Sequence, residues 1–252
     1  MIYTTAGYVH SIYNGGMVDG PGIRCVVFLS GCPLRCKYCH NPDTWEKTNG
    51  NAMTVSDVVA EVKKYKSYYK FGGGVTISGG EPFVQAGFLT ELLKACKAQG
   101  IHTAIDTSGY ANPEDVKSAL AHTDLLLLDI KSFNRETYKN ITGVDIDKTL
   151  NTLRLAKEQN IPTWIRFVLV PGLTDNLQDL NNLTNFLQDY NNVKKVDVLP
   201  FHKSGEFKWK THNIPYELAD TQPPTEHMLE EARKIVIAVS SQNDTACCSI
   251  NR

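Results

Sequence analysis

Six short apolar runs, each followed by a longer amphipathic stretch, constrain this 252-residue chain more than any other feature. The runs lie at 24–30 (RCVVFLS), 74–78 (GVTIS), 101–107 (IHTAIDT), 124–130 (DLLLLDI), 162–170 (PTWIRFVLV) and 195–201 (KVDVLPF). Mostly apolar runs of this length, rich in Val, Ile and Leu, read as strands buried on both faces. The stretches between them repeat apolar residues at helical spacing. Examples are Val55, Val58, Val59 and Val62 in 54–69, and Leu89, Leu92, Leu93 and Cys96 in 88–99, which Gly100 stops. Further helices are expected at 113–121, 148–159, 176–190 and 224–240. Strand and helix in alternation predict a parallel sheet with right-handed crossovers. An open Rossmann-type sheet would carry G-x-G-x-x-G after the first strand, and none is present. Polar and glycine-rich signals instead follow strand after strand, at 31–40, 78–81, 106–109, 129–131, 171–172 and His202. A βα barrel concentrates its chemistry at that edge. The expected fold class is therefore α/β: a partial, open (β/α)6 TIM-like barrel with parallel strands. No linker divides the chain, so residues 1–252 are expected to form one domain, with a core over 7–240 and a polar tail over 241–252.

Lys+Arg 26 against Asp+Glu 27 gives a formal charge of −1. Bulk electrostatics therefore offer no attraction for nucleic acid or an anionic membrane. The start, MIYTTAGYVHSIYNGG, has neither a basic n-region nor an apolar core, and no apolar run approaches the roughly 20 residues of a membrane span. A cytoplasmic location is expected, where thiols stay reduced and clustered cysteines hold metal more often than disulfides.

The seven cysteines fall unevenly. Cys32, Cys36 and Cys39 form C-x3-C-x2-C directly after the first expected strand. Cys25 and Cys96 sit inside a strand and a helix and read as small core residues. Cys247 and Cys248 lie in the polar tail without cluster spacing. Thiolates so close together select zinc, Cu(I) or iron–sulfur over hard cations. Structural zinc wants a fourth ligand, usually from a second pair that this chain lacks. A four-iron cluster normally takes four cysteines, so three would leave one iron open to a ligand. The spacing favours iron–sulfur and leaves zinc as the alternative.

With Tyr38 just before the last cysteine, this loop resembles that of radical S-adenosylmethionine (SAM) enzymes. VDGPGIR (18–24), GCPLRCKYCHNPDTW (31–45), SGGEP (78–82), DTSGY (106–110), LDIK (128–131), WIRFVLVPG (164–172) and LPFH (199–202) resemble, more narrowly, the glycyl-radical enzyme activating family. Members of that family with a ferredoxin-like insert carry extra cysteines after the first motif. Here no cysteine lies between Cys39 and Ser78, which matches the compact type and implies pyruvate formate-lyase as the protein partner.

The resemblance implies that Cys32, Cys36 and Cys39 hold a 4Fe–4S cluster whose open iron binds the amino and carboxylate groups of SAM. One electron then cleaves SAM to methionine and a 5′-deoxyadenosyl radical, which takes a hydrogen from a glycine Cα of the partner. No side-chain acid or base is required. It further implies SAM contacts from Gly79 and Gly80, from Asp129, Ile130 and Lys131, and from Arg166 and Val168. Tyr38, Cys39 and His40 would flank the adenine, with His202 at the adenosine end. Glu81 would hold the methionyl end or else cap the next helix. Asp106, Thr107 and Asp129 match positions that bind a monovalent cation. Asp19 would contact the incoming glycine loop, unless it only forms a turn. A flavodoxin or ferredoxin is expected as electron donor, the chain as a monomer, and 134–143 and 200–210 as mobile edges of the cleft. Arg166, in mid-strand, needs a buried carboxylate or an anionic ligand whatever the family. The segment KKYKSYYK (63–70) interleaves bases and aromatics, a pattern that can bind nucleic acid. It reads better as one wet helical face, or as a surface for an acidic electron donor.

Overall fold

The structure, a computed structural model, describes residues 4–243. Cys247 and Cys248 lie outside the described residues. Eight strands occur among them: β1 (Ala6–Gly16), β2 (Arg24–Leu29), β3 (Asn51–Thr54), β4 (Gly74–Gly79), β5 (His102–Thr107), β6 (Leu125–Asp129), β7 (Thr163–Leu169) and β8 (Val193–Pro200). They form one unclosed sheet in the order β3-β1-β2-β4-β5-β6-β7-β8. From β2 to β8 all pairings are parallel, and these six strands are the six apolar runs of the sequence. The partial-barrel expectation holds, with two antiparallel strands added at one edge. Those two escape the pattern for a physical reason. β1 is half-exposed with polar His10, Ser11 and Asn14, and β3 is only four residues long.

Helices α1 (Val55–Lys63), α2 (Ala86–Ala98), α3 (Pro113–Leu120), α4 (Arg135–Thr142), α5 (Asp147–Glu158), α6 (Leu177–Leu187), α7 (Glu206–Thr211) and α8 (Glu226–Asn243) follow the strands. Local chemistry fixes their starts. Thr54 and Asp57 close a capping box on α1, and Asn176 accepts from the N–H groups of Gln178 and Asp179 at the start of α6. Outward residues of the strands pack on the helices in one large core that includes Ile77, Ile105, Leu128, Ile165, Phe167 and Leu92. Cys25 and Cys96 belong to it, and burial pushes their thiols up to about 11 and about 12. Inward residues alternate with these, and the register aligns them across the sheet: Asp129 lies beside Arg166, and Arg166 beside Asp197. Thus the concave face carries charge while the convex face carries the core.

Four segments show local structure that the sequence did not specify. Residues 134–143, expected as a mobile edge, are the helix α4, where Asn134 caps the Thr137 N–H and Gly143 ends the helix in the left-handed region. Within 200–210, α7 begins at Glu206 and is tied to the cysteine loop, as set out below. KKYKSYYK is not one helical face. α1 ends at Lys63, a 3-10 turn spans Lys66–Phe71, and Tyr69 is buried with its hydroxyl donating to the Val62 carbonyl. Lastly, α8 runs to Asn243, beyond the point where the tail was expected to begin. Among the described residues no helix is long and apolar enough to cross a membrane. Leu92→Ala, at a fully buried core position, should cost about 2–5 kcal/mol of stability in urea unfolding.

Candidate functional site

The concave face opens at the C-terminal strand ends into a cavity of about 500 Å³, a size suited to a ligand of several hundred daltons. Cys32, Cys36 and Cys39 line it from the loop after β2, Gly79 and Gly80 from β4, Asp106 and Thr107 from β5, Asp129 and Lys131 from β6, Arg166 and Val168 from β7, and His202 beyond β8. Asp19, Tyr38 and His40 line it as well.

The cysteine loop has little secondary structure and is held from outside. The N–H of Cys32 donates to the Trp45 carbonyl at 3.0 Å. The N–H groups of Arg35 and Lys37 donate to the carbonyls of Thr142 and Ile141, at the C-terminus of α4. Trp209, on α7, donates its indole N–H to the Cys39 carbonyl at 2.8 Å, and Lys208 reaches Asn41 and Asp43. The three thiols are free and border one cavity without meeting at a point. Among the described residues no three His, Cys, Asp or Glu side chains gather closely enough to hold one metal ion. That spread suits a multi-iron cluster, in which each cysteine serves a different iron. Burial pushes all three thiols up, Cys36 to about 12, so each is held as a thiol until a cationic centre draws off its proton.

Two ion pairs face the cavity. Arg166 Nη1 lies 3.0 Å from Asp106 Oδ1, and Asp106 Oδ2 also accepts from the Ser78 hydroxyl at 2.8 Å. The Asp106 charge holds the guanidinium above its usual range despite burial. Lys131 Nζ lies 2.6 Å from Asp129 Oδ2, as the same-face spacing of these residues anticipated. Burial alone would lower this lysine, but Asp129, Tyr38 and Cys36 together carry it well above its ordinary value. Asp19 is raised, first by burial and then by Asp106. Charges of both signs therefore stand paired around one space, which fits a ligand bearing both an ammonium and a carboxylate. The Tyr38 hydroxyl is buried and has no protein partner, while Lys131 lies 5.8 Å from its ring centroid. The rings of His40 and His202 lie 4.2 Å apart, with His40 Nε2 3.0 Å from the His202 carbonyl oxygen.

Two expected site residues do not border the cavity. Ile130 is fully buried in the core, and its N–H donates to the Arg166 carbonyl. Glu81 is also fully buried, and its carboxylate accepts four hydrogen bonds. Oε1 takes them from the Phe83 N–H and the Thr107 hydroxyl, and Oε2 from the Ser108 N–H and hydroxyl. Burial raises its pKa and these bonds oppose the rise. Of the two roles open to Glu81, the structure displays capping, extended to bracing β4 against β5. Gly79 and Gly80 have a packing reason of their own: a Cβ on either would strike the backbone of Leu29 or Gly31. Asp106, Thr107 and Asp129 do lie together at the cavity, with their side chains engaged by Arg166, Glu81 and Lys131. Sequence reasoning did not single out Ser78, Ser108, Trp209 or Lys208. Only the leading S of SGGEP and the central S of DTSGY pointed toward the first two.

Residues 26–184 match the family model described as the Radical SAM superfamily. The pyruvate formate-lyase-activating enzyme of Clostridium pasteurianum is 46% identical over 231 residues, covering 90% of this chain and 94% of that protein. That of Staphylococcus epidermidis is 43% identical over 238 residues, covering 91% and 95%. Among solved structures, a domain of pyruvate-formate lyase-activating enzyme from Bacteroides vulgatus superposes with a TM-score of 0.55 at 28% identity, covering 66% of this chain and 94% of that one. Replacing Glu81 with Gln sets an amide N–H2 against two donors. The Glu81→Gln variant should lose about 1–3 kcal/mol or more in thermal unfolding. Unchanged stability with loss of SAM binding alone would return Glu81 to the ligand role.

Proposed function

Because the chain belongs to the radical SAM superfamily, and within it to the pyruvate formate-lyase-activating enzymes, we propose that its cavity generates the glycyl radical of pyruvate formate-lyase. The observation that carries this reading is the meeting of three free thiols with two ion pairs at one cavity. Cys32, Cys36 and Cys39 would hold the 4Fe–4S cluster. Gly79, Gly80, Asp129, Lys131, Arg166 and Val168 would hold SAM, with Tyr38, His40 and His202 serving its adenosine end. When bound, the cluster and SAM supply the one-electron chemistry that removes a hydrogen atom from a glycine Cα of the partner.

The chain's own residues bind, orient and exclude. Asp129 and Lys131, already paired, exchange part of that pairing for the ammonium and carboxylate of the ligand, and Arg166 with Asp106 does the same. Buried, unpartnered Tyr38 offers a hydroxyl and a ring face at the end where the paired histidine rings stand. Trp209 and Trp45, 5.2 Å apart and edge to face, pack beside the cysteine loop, Trp45 at the cavity and Trp209 on the Cys39 carbonyl. No proton has to move, so no acid or base is assigned. Asp19 lines the side of the cavity nearest the β1–β2 loop and meets the partner's glycine segment. A monovalent cation at Asp106, Thr107 and Asp129 would share these carboxylates with Arg166 and Lys131. The chain works as one domain and a monomer in the cytoplasm, and a flavodoxin or ferredoxin delivers its electron.

The test is electron paramagnetic resonance on an anaerobic mixture of the protein, SAM, a reductant and purified pyruvate formate-lyase. A glycyl-radical doublet is expected, and Cys36→Ala should abolish it. A radical formed only on a different glycyl-radical enzyme would transfer the activity to that partner.

A further inference from the structure

Nine large apolar side chains stand exposed among the described residues, and six belong to two neighbouring segments. Tyr13, Met17, Val18 and Ile23 lie on the end of β1 and in the loop to β2, and Tyr68 and Phe71 on the 3-10 turn Lys66–Phe71. Phe71 is 89% exposed, Val18 77% and Tyr68 57%. The two segments touch, because a Cβ on Gly22 would strike Gly72 and Gly73. Between them runs an apolar groove of about 250 Å³, lined by Ile23, Tyr65, Tyr68 and Tyr69 with Asn14 and Arg24. The Asn14 carboxamide oxygen is buried and has no hydrogen-bond partner. Arg24 is fully buried and spent on Thr76, the Val75 carbonyl and His102. Lys63 at the end of α1 and Lys66 and Lys70 on the 3-10 turn stand exposed, Lys66 donating to the Gln99 carbonyl. Clustered apolar exposure of this kind marks an interaction site, whereas single exposed residues need no explanation. Tyrosines around a pocket are also typical anchors of protein interfaces.

We propose that this groove docks the body of the protein whose glycine enters the cavity, a deepening that rests on the proposed function above. Continuity selects this occupant. Val18, part of the exposed patch, also lines the cavity, and Asp19 beside it is drawn inward as its carbonyl accepts from the Thr76 hydroxyl. A polypeptide seated in the groove thus passes over Met17 and Val18 into the cavity without leaving protein surface. An apolar side chain with a donor for Asn14, flanked by carboxylates facing the lysines, is the chemistry that fits. An electron donor fits less well. The groove is at the N-terminal end of β2 and the cysteines follow its C-terminal end, roughly 20 Å away for six residues at ~3.3 Å each.

The test compares two substrates, purified pyruvate formate-lyase and a short synthetic peptide of its glycine loop, with Tyr68→Ser and Phe71→Ser variants. The KM for the whole protein should rise about tenfold or more, the loss of one interface anchor. The KM for the peptide and the SAM cleavage without any partner should stay at the wild-type value, and Tyr68→Phe should behave as wild type. Unchanged KM for the whole protein would overturn the proposal, as would an equal rise for the peptide. It would equally be overturned if the variants altered only the dependence on a flavoprotein donor, or only self-association in sedimentation. If the wild-type protein forms no radical on either substrate, the proposed function itself has failed, a result distinct from all of these.

Discussion

A carboxylate removed from water must be given hydrogen bonds, and the way Glu81 obtains its four arranges the strand ends around it. The Phe83 N–H closes the turn after β4, and Thr107 and Ser108 bring the end of β5 against it. The connection continues outward. The Ser108 carbonyl accepts from the Thr149 hydroxyl at 2.7 Å, and Thr149 Oγ1 accepts from the Tyr138 hydroxyl at 2.8 Å. Tyr138 is fully buried on α4, the helix whose last carbonyls hold the N–H groups of Arg35 and Lys37. One path of hydrogen bonds therefore runs from the end of β4 to the cysteine loop. A loop without its own ladder keeps its three thiols at the cavity because neighbouring elements hold its backbone.

The sheet sets the complementary condition. Six parallel strands place every second residue inward, so the last inward positions of successive strands converge without help from loops. Asp106, Asp129, Arg166 and Val168 occupy such positions, and their ion pairs offset the cost of burying charge. Remaining unclosed serves the chemistry as well. A closed barrel would admit a small ligand from one end, whereas this sheet stays open between its edge strands β3 and β8, and Asp19 and Val18 of the β1–β2 loop also reach the cavity. A substrate that is itself a polypeptide needs that opening.

Much of this arrangement was legible in the chain because it is local. The C-x3-C-x2-C spacing, the same-face spacing of Asp129 and Lys131, and an arginine in the middle of an apolar strand each declare themselves within a few residues. The parallel strands did so through their continuous apolar runs. What the sequence hid depends on pairs far apart in it. Glu81 reads as a ligand contact or a helix cap until Thr107 and Ser108, more than twenty-five residues on, are found against it. Trp209 and Lys208 look like ordinary residues of a polar stretch until they meet Cys39, Asn41 and Asp43. Gly79 and Gly80 suggested a ligand, yet the neighbouring backbone already demands glycine there. β1 and β3 failed to show because a half-exposed edge strand and a four-residue strand carry too little periodicity.

Three thiols that border a cavity, with no fourth cysteine beside them among the described residues, are the claim on which the account stands. Iron, sulfide and zinc analysis of anaerobically purified protein tests it most directly. The account predicts a brown protein with about four iron and about four sulfide per chain. A colourless protein with about one zinc and no sulfide would contradict it.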